Sequence, residues 1–90
     1  MSARTPNVDP LRPVKLPAAI RAQSAELLHA ITNATTRTDI MRAADLAEGF
    51  VLGMKTVRAL SDSDAADLLL VFSAATQMRL GSPILGPNLG

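Results

Sequence analysis

The stretch "ALSDSDAADLLLVFSAATQMRLGSP", residues 59–83, carries start, body and stop signals for one helix. Ser61 with Asp64 three positions on is close to a capping box, and Leu60 and Ala65 flank it as a hydrophobic staple. Asp62 and Asp64 suit the positive end of a helix dipole. Arg79 in the last turn, Gly81 after it and Pro83 beyond supply the stop. The spacing predicts a helix over 62–80. Its body is apolar almost all round. Leu68, Leu69 and Phe72 share one face with Ala65, Ala75 and Thr76, while Leu70 points the other way with Ala66 and Ala74. A helix apolar on all sides is buried on all sides, which is more than one short chain can arrange alone.

Upstream, Ile40, Ala43, Ala47, Phe50, Met54 and Val57 step by three and four, which predicts a second helix over 39–59. Thr36 or Thr38 is its expected cap. Almost no loop separates it from the third helix, so the two should be close neighbours. Its polar face, with Asp45, Glu48 and Lys55, also carries Met41 and Leu52. Gly49 and Gly53, four apart, each cost a helix interior about 1 kcal/mol relative to Ala. On a helical wheel both lie on one flank beside Leu46, at the border of the apolar arc. The expected reason is a groove where another helix approaches closely, with helix 1 or helix 3 of the same chain favoured over a partner chain. A local bend is the alternative.

The first helix is predicted over 17–34, starting at Pro17. Leu16, Ile20, Leu27, Ile31 and Ala34 fall on one face, with Ser24 beside them. Residues 1–16 contain Pro6, Pro10 and Pro13 and read as an extended basic arm. Pro10-Leu11-Arg12-Pro13-Val14-Lys15 also fits a Pro-x-x-Pro ligand, although a basic leader explains it as well. Residues 82–90 read as an irregular Gly/Pro tail in which Ile84, Leu85 and Leu89 can fold back on the core. The expected fold is therefore all-α: a small three-helix bundle occupying 17–81, or a helix 2/helix 3 hairpin crossed by helix 1.

Composition agrees with this and limits function. The chain has 90 residues, enough for one domain, and 48% are hydrophobic. Only Phe50 and Phe72 are aromatic, and there is no Cys, so neither disulfides nor thiolate metal sites contribute. A chain this short gains from association. The sequence has no secretory h-region and no run approaching the ~18 apolar residues of a membrane span. A cytoplasmic location without membrane contact is expected, and the sequon at Asn33-Ala34-Thr35 reads as chance.

No motif points to catalysis. Phosphate-binding, dinucleotide and nucleophile-elbow patterns are all missing. His29, the single histidine, lies on the polar face of helix 1. Asp62, Asp64 and Asp67 open like a calcium loop, but the central Gly and terminal Glu are missing. No catalytic residue, metal or cofactor is expected. A helix-turn-helix reading fails because the second helix would be acidic at its start and apolar in its body.

Association remains. The sequence favours a non-catalytic, self-associating interaction module, regulatory or inhibitory, that dimerises through Leu52, Leu70, Met41, Ala66 and Ala74 and binds an unidentified protein. The alternative is a nucleic-acid accessory factor. Its phosphate contacts would come from Arg4, Arg12, Lys15 and Arg21, since residues 1–21 hold Asp9 as their one acid.

Overall fold

The computed structural model describes residues 9–81. It holds three helices: α1 (Ala18–Asn33), α2 (Arg37–Thr56) and α3 (Asp62–Gly81). Every helix touches the other two, and α2 and α3 share the most extensive interface. The described residues thus form a small all-α three-helix bundle. None of these helices is long and apolar enough to cross a membrane. Arg4, the first residues of the arm and the fold-back of Ile84, Leu85 and Leu89 lie outside the described residues.

Caps set where two of the helices begin. The backbone N–H of Asp39 donates to Thr36 Oγ1 at 3.0 Å, so α2 starts at Arg37, two residues earlier than the periodicity indicates. The N–H of Asp64 donates to Ser61 Oγ at 3.0 Å and opens α3. Each cap satisfies a donor that the helix itself leaves unpaired. By contrast α1 has no capping side chain, no acid in its first turn and no base in its last. Pro17 precedes it as the cap residue and accepts the Arg21 N–H at 2.8 Å. Tertiary packing supports α1 more than its own ends do.

α2 ends at Thr56, short of the expected Ala59. The N–H of Ala59 donates to the Met54 carbonyl at 2.8 Å and that of Arg58 to the Lys55 carbonyl at 3.0 Å. This is a Schellman closure, and Arg58 holds its left-handed position with φ 60°. A side chain there costs about 1–2 kcal/mol. In return the chain turns sharply and sends Leu60 into the core. Residues 57–61 therefore form a real connection where the sequence suggested almost none.

The core is aliphatic around the buried ring of Phe72, with the half-buried Phe50 packed against it. α2 contributes Ala43, Ala47 and Val51, α3 contributes Ala65, Leu68 and Phe72, and α1 contributes Ile31. Ser24 is fully buried on the core side of α1, and its Oγ has no hydrogen-bond partner. An unsatisfied hydroxyl of this kind costs about 1–3 kcal/mol.

The largest departure from expectation is at the N-terminal end. Residues 10–14 form turns and are not an extended arm or a polyproline segment. Asp9 organises them: its Oδ1 accepts the Leu11 N–H at 3.0 Å and its carbonyl accepts the Arg12 N–H, also at 3.0 Å. The turns bury Leu11 to 2% and Val14 to 3% exposure, and both join the core cluster. The guanidinium of Arg21 on α1 donates Nη1 to the Leu11 carbonyl at 2.9 Å and Nη2 to the Val14 carbonyl at 2.6 Å. These residues act as a strap, with apolar anchors below and a cationic clamp on its backbone.

Candidate functional site

α3 has two unlike sides. Ala65, Leu68 and Phe72 point into the bundle. Ala66, Leu70 and Ala74 lie on the opposite side and are exposed, as is Met78 one turn further on. Leu70 is 68% exposed. The spacing of four keeps these side chains in one row. Beside that row a groove of about 480 Å³ runs between α3 and α1. It is lined by Leu28 of α1, by Val71, Ala75 and Met78 of α3, and by Pro10 of the strap.

The polar side chains at the rim of this groove are engaged within the fold. Thr32 Oγ1 donates to the His29 carbonyl at 3.1 Å. Arg79 donates through Nη2 to the Ala34 carbonyl, which ties the end of α3 to the α1–α2 turn. The groove therefore offers apolar surface with little polar chemistry. Burying one large aliphatic side chain in such a place is worth about 1.5–3 kcal/mol. That suits docking of apolar side chains more than proton transfer or nucleophilic attack.

The expected association residues separate into different places. Leu70 and Ala74 line the α1–α3 groove together. Ala66 lies one turn earlier on the same side of α3. Leu52 is 48% exposed, in a depression at the α2–α3 connection with Lys55 and Asp62. Met41 is 45% exposed among Arg37, Arg42 and Asp45. The structure thus does not join Leu52 and Met41 to the Leu70 face. Leu28, Val71 and Met78 belong to that face although the sequence reading did not single them out. Met78 was legible as the next step of the row Ala66, Leu70, Ala74. Leu28 was not, because only packing shows which flank of α1 borders α3.

The close-packing role of Gly49 and Gly53 is corrected in one respect. Both are exposed, and a Cβ built on either has nothing within 4 Å. Neither helix 1 nor helix 3 of the same chain approaches there. Ile40, Ala43, Ala47 and Val51 set the buried direction of α2, which turns Gly49 nearly opposite the core.

Of the expected phosphate contacts, Arg12 and Lys15 are exposed. Arg21 is half-buried with its guanidinium committed to the strap carbonyls, so it is a structural clamp. His29 is exposed and its Nε2 lies 2.7 Å from Asn33 Nδ2. Among the described residues no three metal-binding side chains lie together. Asp64 instead contributes its backbone N–H to the α3 cap. Searches against family models, curated proteins and solved structures give no match to this chain.

Proposed function

We propose that this chain is a non-catalytic helical interaction module that docks protein partners on the apolar face shared by α1 and α3. It would act as a regulator or inhibitor by covering a surface, without bond chemistry of its own. The observation that carries this reading is the Leu70 row beside the α1–α3 groove. Leu70, Ala74 and Met78 are exposed together, next to Leu28, Val71 and Ala75, whereas the other exposed large aliphatic side chains, Met41, Leu46, Leu52 and Val57, do not line this groove. A contiguous apolar patch of this kind is a mark of an interaction surface. The engaged Thr32 and Arg79 add to this, since they leave few free polar groups to orient a small substrate.

A photo-cross-linking residue at position 70 of the full chain, expressed in its native host, tests the reading. Position 23, an exposed glutamine on α1, is the control. Discrete protein adducts from position 70 and none from position 23 are expected. No adduct from position 70, or equal adducts from both positions, would overturn it.

A further inference from the structure

We infer that residues 82–90 of this chain cover the α1–α3 groove, running back along α3 from Gly81, and that a protein partner reaches the Leu70 face by displacing them. This rests on the α1–α3 face being the docking surface. The position of the segment, its chemistry and the character of the other depressions select it as the occupant.

Position comes first. Met78 and Arg79 line the groove within one turn of Gly81, where α3 ends. Arg79 donates through Nη2 to the carbonyl of Ala34, the residue that closes α1, and so holds that end of α3 against α1. The chain therefore leaves α3 at the mouth of the groove. Pro83 disfavours helical backbone at Ser82, which favours a change of direction there. From Met78 back to Leu70 the groove follows α3 for about 12 Å. Ile84 to Leu89 spans about 16 Å when extended, enough to follow that row from end to end. A tether of two or three residues holds the segment at an effective concentration of about millimolar, so modest apolar contacts suffice.

Chemistry agrees. The segment reads SPILGPNLG, with Ile84, Leu85 and Leu89 and no charged side chain. Pro83 and Pro87 carry no amide N–H, so it brings fewer donors to a surface that offers few acceptors. Arg79 is the one charged residue lining the groove, and its Nη2 is already engaged. The other depressions suit such a segment less well. The one at Leu52 presents Lys55, Arg58 and Asp62, and the one at Met41 presents Arg37, Arg42 and Asp45. The one between α2 and α3 presents Asp45 and Glu48. An uncharged apolar segment would desolvate those charges without pairing them. Docking in the α1–α3 groove carries no such penalty.

The chain contains no cysteine, so a nitroxide attached to Asn88→Cys of the full chain reports where the segment lies. The methyl signals of Leu28 and Val71 should lose most of their intensity to the nitroxide, while those of Leu46 on the outer flank of α2 keep theirs. Adding Ile84→Asp and Leu85→Asp, both past the end of α3, should restore the Leu28 and Val71 signals. Equal loss with and without these two substitutions would show tethering alone and overturn the proposal, as would a loss at Leu46 matching that at Leu28. Loss in an isotope-labelled wild-type chain mixed with the nitroxide-bearing one would place another copy's segment in the groove and also overturn it. The same two substitutions should raise the yield of position-70 cross-links at least about twofold, because they free a face that is covered much of the time. An unchanged yield would overturn the displacement. If position 70 forms no adduct in either chain, the docking reading fails; loss at Leu28 and Val71 relieved by the two substitutions still supports the covering.

Discussion

The strap at residues 10–14 and the outer flank of α2 make opposite use of similar raw material. The strap has no regular periodicity and is bounded by prolines, yet Leu11 and Val14 are among the most buried side chains of the fold. The α2 flank is regular helix throughout, yet Gly49, Gly53 and Leu46 face outward. Regular backbone does not ensure burial, and irregular backbone does not prevent it. Burial depends on whether the chain can satisfy its own polar groups on reaching the core. The strap does so through Asp9 and Arg21. The α2 flank satisfies its backbone within the helix and has no neighbour to meet.

The largest effect is expected from Leu11→Ala. If the strap is core, urea unfolding should show a loss of about 2–4 kcal/mol. A change below about 0.5 kcal/mol would make the strap a surface ornament. A smaller loss, about 1.5–3 kcal/mol, is expected for Arg21→Met, which keeps the aliphatic stem and removes the charged donors to the two carbonyls. Hydrogen exchange should then speed up at the amides of Arg12 and Val14 while the α2 core amides stay protected; unchanged exchange there would mean that the clamp does not hold the strap. The smallest effect belongs to the other region. Gly49→Ala and Gly53→Ala should each raise stability by about 0.5–1 kcal/mol in thermal unfolding, since the added methyl meets open space and the helix gains propensity. Destabilisation by either would mean that another helix, from a second chain, rests on that flank.

The legible parts of the fold were those in which neighbouring residues in sequence act on one another. The Ser61 cap, the acidic first turn and the Gly81 end marked α3, and the stripe from Ile40 to Met54 marked α2. The end of α2 is not legible in the sequence because its turn uses Arg58 in a left-handed conformation, where a glycine would mark it. The candidate site was half legible. Leu70, Ala66 and Ala74 followed from helical spacing on α3. Leu28 and Pro10 reached the groove through the packing of α1 and of the strap.

By itself the sequence determined the helical class, the caps, the two-sided apolarity of α3 and the absence of cysteine, because each depends on composition or on contacts within a few residues. Only the tertiary structure decided that Arg21 clamps a strap, that Gly49 and Gly53 face outward, and that Leu70 borders a groove while Leu52 and Met41 lie elsewhere. Those outcomes depend on the direction in which each helix presents itself to its neighbours. A periodic pattern specifies a face to within a turn of the wheel, whereas packing of Ile31, Val51, Leu68 and Phe72 fixes its orientation.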